Sequence, residues 1–165
     1  MLISLALLLA AQDPSAYEEP VRDPITGEYP VEPYRQDNAN AGARPFQGDK
    51  MANAFGRKAG IRAIADGLVD RILIDPRIED IFKGQDIVRL RRGLFEQFCY
   101  ILNAGCNYTG RDMRNSHKNL GIQMADLNAL VENLQDAMDA ENIPFALQNR
   151  FLAKRAPMKD DVVER

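Results

Sequence analysis

Of the residue types in this chain, histidine can take part in the widest range of chemistry. The chain contains only one histidine, His117. Its imidazole can bind a metal ion or transfer a proton near neutral pH. It closes the stretch 108–117 (YTGRDMRNSH), which lies between two long segments of apolar periodicity. A lone histidine near a helix end is more commonly a solvated or hydrogen-bonded side chain than a ligand. Residue type alone therefore leaves its role open.

The two cysteines, Cys99 and Cys106, are separated by six residues. Two are too few for a disulfide scaffold, and the spacing does not resemble a zinc site. Gly105 would let the chain turn back and bring them together, so that in an exported protein they would form a disulfide. The alternative is a buried Cys99 that acts as a small hydrophobic side chain, with Cys106 free.

The 165 residues are enough for one domain with a sizeable core. The net charge is -3, and the lysines and arginines are scattered, so we expect no nucleic-acid partner. Residues 1–11 (MLISLALLLAA) form an apolar run too short to span a bilayer as a helix. The run is typical of a secretory signal peptide and predicts a periplasmic or secreted protein without a membrane span. No Lys or Arg precedes it, so a disordered apolar N-terminus, an uncleaved anchor or a cytoplasmic protein are the alternatives.

Residues 12–49 are rich in Pro, Tyr, Asp and Asn and predict a flexible extension, with a local turn at Pro24–Gly27. From residue 50 to 158, apolar residues recur at spacings of three and four, as in amphipathic helices. About five helices are predicted, with Asp75-Pro76 ending the first and Asp86 capping the third and longest. No segment alternates with period two, so the fold class is all-α, followed by a tail at residues 159–165.

Several runs in this helical region resemble the truncated haemoglobin family, most closely its first group. They are AGIRAI at 59–64, LVDRILIDPRI at 68–78, EQFC at 96–99, GCNYTGRDM at 105–113, LGI at 120–122 and APM at 156–158. The resemblance implies a truncated globin, a two-over-two helical sandwich that encloses one haem b. It further implies reversible binding of a diatomic gas (O₂, CO or NO), as in oxygen binding or oxygen transport, with a reductase as an unknown partner.

By the same resemblance, His117 is the proximal iron ligand, and its second ring nitrogen should donate to a carbonyl. Phe82 falls on the position of a phenylalanine that packs on the haem, and Tyr108 and Met113 are expected to contact the cofactor. The absence of a second histidine excludes bis-histidine ligation. The cysteine spacing does not match the Cys-x-x-Cys-His motif of covalent haem attachment.

The distal side departs from the family. Val69 stands where a tyrosine is common, and Leu90 and Leu94 stand where glutamine is common. Phe98 lies on the same face, next to Gln97. Valine and leucine donate no hydrogen bond to O₂, so we expect O₂ to leave quickly and CO to be favoured relative to it, unless Gln97 or Tyr100 swings in.

The haem propionates require cationic partners. The family often has Lys or Arg at the position of Gly93, so Arg89 or Arg92 would have to replace it. A solvated helix face is the alternative role for these arginines.

Three functions follow from these residues. The first is a gas-binding haem protein. The second is an enzyme that detoxifies nitric oxide or peroxide, which the apolar distal side disfavours. Bound O₂ would not survive there until nitric oxide arrives, and no acid or base is placed to help break the O–O bond of a peroxide. The third is a helical interaction module without haem, which the retention of His117 and Phe82 disfavours.

Overall fold

The computed structural model describes residues 20–164 and contains no β-strand in that range. This confirms the all-α prediction. Within it lie eight α-helices and two 3-10 helices. The α-helices are α1 (Lys50–Ala54), α2 (Arg57–Ile72), α3 (Glu79–Phe82), α4 (Ile87–Ile101), α5 (Met113–His117), α6 (Met124–Ala140), α7 (Phe145–Arg155) and α8 (Lys159–Val162). The 3-10 helices are Asn38–Ala41 and Ala156–Met158.

The core lies between two helix pairs. Helix α2 packs against α4 and α6, and α6 packs against α7, which is the predicted two-over-two arrangement. Three rings join the helices at the centre: Phe151 of α7 meets Phe98 of α4 edge-on at 5.2 Å and Phe55 at 5.4 Å. All three side chains are at most 1% exposed. Edge-to-face pairs at this separation add to the stabilisation from burial.

Short polar residues fix where the helices begin and end. The carboxylate of Asp86 accepts from the backbone N–H of Arg89 and caps α4, as predicted. Helix α2 ends at Ile72, before Asp75-Pro76. The Asp75 carboxylate then accepts from Arg77 N at 3.0 Å and from Asn133 Nδ2 of α6 at 2.6 Å. The end of α2 is thereby fastened to α6.

The structure differs from the sequence expectation in the shorter elements. Helices α1, α5 and α8 were not expected, because four or five residues give too little periodicity to detect. Helix α4 is not the longest, since α6 has 17 residues and α4 has 15. Residues 159–164, expected as a tail, are ordered: Val162 is buried, and Glu164 N donates to Ile122 O at 2.8 Å.

The described chain before residue 31 forms a compact unit of its own. It contains the expected turn: Gly27 N donates to Asp23 O at 2.8 Å, and Asp23 Oδ1 accepts from Thr26 N at 2.7 Å. The guanidinium of Arg22 lies 3.8 Å from the ring centroid of Tyr29.

Residues 31–49 belong to the helical domain, which differs from the flexible extension expected for residues 12–49. Ala41 is fully buried, and Phe46 N donates to Ile101 O at 2.8 Å. Asp37 caps the 3-10 helix Asn38–Ala41 through its side chain. We call residues 32–41 the strap. Its polar side chains form hydrogen bonds with backbone groups of the rest of the domain. Composition alone does not reveal this stabilisation.

The predicted signal peptide, residues 1–11, lies outside the described residues. Within residues 20–164, no helix is long and apolar enough to cross a membrane.

A disulfide joins Cys99 of α4 to Cys106, with their Cα atoms 5.6 Å apart. Of the two alternatives for these cysteines, the structure therefore has the disulfide. It closes the turn between α4 and the loop that leads to α5, and this turn includes Gly105 with φ of 80°.

We expect reduction of this disulfide to lower the free energy of unfolding by about 2 kcal/mol, since so short a closed loop restricts the unfolded chain only modestly. Chemical denaturation with and without a dithiol reductant measures the change. The control is the double variant Cys99→Ser/Cys106→Ser, which should not respond to the reductant. An equal response of both proteins would contradict a stabilising disulfide.

Candidate functional site

His117 ends the short helix α5 and makes one side-chain hydrogen bond within the described residues. Its Nδ1 lies 2.7 Å from the carbonyl oxygen of Met113. A carbonyl oxygen only accepts, so Nδ1 carries the proton and the lone pair lies on Nε2. Burial lowers the pKa of His117 below its ordinary value of 6.5, which outweighs the opposite effect of the bond to Met113. The result is a neutral imidazole with a defined tautomer, suited to bind a metal through Nε2.

Two interactions hold the first residues of helix α5. The Asp112 carboxylate caps its start and accepts from Asn115 N at 2.9 Å, and this bond lowers the pKa of Asp112. Beyond the cap, Arg114 forms a 2.6 Å ion pair with Asp161 of α8. The sequence suggested a loop here, whereas this one-turn helix is what places the Met113 carbonyl beneath the His117 ring.

A buried polar cluster lies behind Met113. Gln97 is 3% exposed, and its Nε2 donates to Ala41 O at 3.0 Å and to Met113 Sδ at 3.2 Å. Gln97 Oε1 accepts from the Arg155 guanidinium at 3.3 Å. Because its amide is bonded on both sides, Gln97 is fixed next to Met113 and is not free to swing toward a gas ligand.

Arg155 places a cation in this cluster. Its guanidinium stacks on Phe98, 4.7 Å from the ring centroid, and burial lowers the pKa of Arg155 to about 10. The nearby charge also lowers the pKa of His117, although less than burial does. Nothing in the sequence pattern indicated this role, because an arginine in the last turn of α7 is typical of an exposed helix end.

The apolar residues predicted to contact the haem on α2, α3 and α4 fall into two groups. Val69 and Phe98 are at most 1% exposed and belong to the core. Phe82, Leu90 and Leu94 pack against the core but are only partly buried. They leave apolar surface uncovered, and covering such surface is favourable by roughly 25 cal/mol per Å². A flat apolar macrocycle would cover such surface, and none of the five side chains has a polar atom.

The arginines predicted to face the propionates have protein partners. Arg92 pairs with Glu96 at 3.2 Å and also bonds the Thr109 hydroxyl, so it fastens the loop before α5. Arg89 is partly buried on α4, with its Nε 3.8 Å from the Asp86 carboxylate. An added Cβ at Gly93 would meet no atom within 4 Å, so the position where the family resemblance implies a cation is open.

Tyr108 and its loop neighbours support α5. The Tyr108 hydroxyl donates to Arg111 O at 2.9 Å, and burial raises the pKa of this phenol to about 12. A Cβ at Gly110 would lie 2.2 Å from that hydroxyl, which explains the glycine. Thr109 N and its hydroxyl both donate to Glu96, at 2.9 and 2.7 Å. Tyr108 thus shapes the loop through its own hydrogen bond.

A polar cavity of about 550 Å³ lies between the strap and α5. Its lining contains none of the residues predicted to contact the cofactor and consists of Pro33, Tyr34, Arg35, Asn40, Arg111, Asp112, Asn115, Lys118 and Asn119.

Sequence reasoning missed Ala41, Arg155 and the strap as parts of this site. The strap did carry one signal: Asp37 before Asn38-Ala39-Asn40 is a helix-capping pattern. Arg155 and Ala41 had none, because their roles depend on contacts between residues distant in the chain.

Comparison with known proteins identifies the family to which the chain belongs. Residues 50–164 match the family described as bacterial-like globin. The group 1 truncated haemoglobin of Mycolicibacterium paratuberculosis is 25% identical, over 71% of this chain and 88% of that protein. The one from Nostoc commune is 30% identical, over 56% of this chain and 83% of its own length.

Solved structures show the same fold. The truncated haemoglobin of Tetrahymena pyriformis in its Fe(III) form aligns with a TM-score of 0.67 and 19% identity, covering 70% of this chain and 98% of that one. The 2/2 haemoglobin of Synechococcus, in the cyanomet state with covalently attached haem, aligns with a TM-score of 0.64 and 20% identity, with the same coverage.

Since the family match covers most of the chain and the helices have the arrangement of truncated haemoglobins, this chain belongs to the bacterial-like globin family and is a haem-binding, gas-binding globin.

Proposed function

We propose that this globin binds a diatomic gas reversibly at haem b, with His117 Nε2 as the only protein ligand to the iron. When bound, haem supplies the iron atom at which the gas binds. The hydrogen bond from His117 Nδ1 to Met113 O carries the proposal, because it fixes the tautomer that leaves Nε2 free to coordinate. Burial keeps the imidazole neutral, as ligation requires.

The apolar side chains support weak retention of O₂. Val69, Leu90 and Leu94 have no hydrogen-bond donor, and the Gln97 amide is bonded to Ala41, Met113 and Arg155. A donor near O₂ would stabilise its partial negative charge, whereas CO develops little charge. We therefore propose that this globin releases O₂ faster than globins with a distal tyrosine or glutamine do. We also propose that it favours CO over O₂ more strongly than they do.

Non-covalent attachment of the cofactor is part of the proposal. Both cysteines are bonded to each other, so neither thiol is available for a thioether bond to haem. Because O₂ and CO bind ferrous iron, we propose a reductase as the partner that keeps it reduced.

We further propose that the protein works in the periplasm or outside the cell. The Cys99–Cys106 disulfide supports this location, since disulfides persist in oxidising compartments and are rare in the cytosol. The apolar run at residues 1–11 is consistent with export.

Replacing His117 tests the ligand directly. We expect wild-type protein to give a five-coordinate ferrous absorption spectrum that shifts under CO, and His117→Gly to lose it. Added imidazole should restore that spectrum by occupying the space of the missing ring. Met124→Ala, a change at a 45% exposed residue, is the control and should leave the spectrum as in wild type. A His117→Gly spectrum identical to that of wild type would contradict the assignment.

Introducing a donor tests the distal side. We expect Leu94→Gln to slow O₂ release roughly tenfold, because one new hydrogen bond to O₂ contributes about 1 kcal/mol or more in a dry site. Leu94→Met is the matched control, since it keeps the side-chain size but adds no donor. Flash photolysis or stopped-flow mixing measures the rate. Equal rates for the two variants would show that Leu94 does not face the gas.

A further inference from the structure

The loop that precedes α5, residues 107–111, is contacted by the strap at each of its residues. Three of these bonds reach the backbone of the loop: Tyr34 Oη donates to Thr109 O at 2.9 Å, Tyr108 N donates to Asn38 Oδ1 at 2.8 Å, and Asn40 Nδ2 donates to Gly110 O at 3.1 Å. Because these bonds are made to backbone groups, they fix the backbone conformation of the loop and do not merely cover its surface.

The two ends of the loop are held as well. Asn38 Nδ2 donates to the Asn107 side-chain oxygen at 3.2 Å. Arg111 donates to Glu32 O at 2.8 Å, and its guanidinium lies 5.1 Å from the ring centroid of Tyr34. The strap therefore acts on one side of the loop, while Glu96 and the disulfide hold it from α4.

The end of the strap reaches Met113, the residue whose carbonyl orients His117. Ala41 O accepts from Gln97 Nε2, and the same nitrogen contacts Met113 Sδ. The next residue, Gly42, has φ of 79°, and a Cβ there would lie 3.0 Å from Met113 Cγ. The backbone after the strap thus packs directly against the Met113 side chain.

We propose that the strap is a positioning element for the proximal histidine: by holding residues 107–111 and Gln97, it fixes α5 and hence the direction of His117 Nε2. This inference rests on the proposed function, in which Nε2 binds the haem iron. Asn38 is its principal positioning residue, because its one side chain bonds both Asn107 and Tyr108. The segment before the first helix of the globin domain thereby becomes part of the gas-binding site without touching the gas.

The test uses full-length protein reconstituted with haem and the variant Asn38→Ala. We expect haem loss to an excess of a haem-scavenging apoprotein to become about tenfold faster, the factor that corresponds to the loss of one well-formed hydrogen bond to a partly buried backbone N–H. We also expect the iron–histidine stretching band of the ferrous protein in resonance Raman spectra to shift or broaden. Amide exchange at residues 107–111 of the reconstituted protein should accelerate in parallel.

Two matched variants make the test specific. Gln36→Ala alters an exposed residue of the same strap and should behave as wild type. Asn38→Asp keeps the acceptor for Tyr108 N but loses the donor to Asn107, so it should restore most of the wild-type behaviour. A strap that only stabilised the fold would lower the Tm of Asn38→Ala without moving the iron–histidine band.

The outcomes separate the two proposals. If His117→Gly alters the wild-type spectrum but Asn38→Ala matches Gln36→Ala in haem loss and in the Raman band, the strap proposal is overturned and the proposed function stands. If the spectrum does not respond to His117→Gly, the proposed ligand fails, and the role of the strap fails with it.

Discussion

The hydrogen bond between His117 Nδ1 and Met113 O is the interaction on which the site depends. It joins two residues one helical turn apart, so it exists only while α5 is formed. An isolated helix of five residues is not stable in water, because the nucleation cost exceeds the gain from its few bonds. The surroundings must therefore impose this turn, and several separate elements of the fold do so.

Those surroundings come from three parts of the chain. Helix α4 contributes Glu96 and the disulfide, α8 contributes the ion pair of Asp161, and the strap contributes its bonds to residues 107–111. Exposed ion pairs are worth little individually, whereas bonds to backbone groups of a partly buried loop are costly to lose. The strap and Glu96 therefore carry more of this support than the ion pair between α5 and α8.

The polar cluster behind Met113 has an energetic cost. Burying a guanidinium is unfavourable unless it is partnered. Gln97 and the faces of Phe98 and Phe151 partner the Arg155 guanidinium, whereas its buried Nε has no hydrogen-bond partner among the described residues. The cluster fixes the orientation of Gln97, which in turn contacts Ala41 and Met113. Polar groups thus make the packing next to Met113 specific. The predicted distal positions, in contrast, are apolar.

The sequence by itself determined the helical class, the capping of α4 by Asp86 and the identity of the only imidazole, because periodicity, capping and residue counts are local properties. It also carried the family resemblance through the residues around His117. It left the state of the cysteines open, and it predicted a flexible chain where the strap is packed. Only the tertiary structure decided these points, together with the contacts of the partly buried Arg155 and the bonded state of Gln97. The physical reason is that each depends on partners far along the chain, and a polar segment becomes ordered only where the folded domain presents matching backbone donors and acceptors.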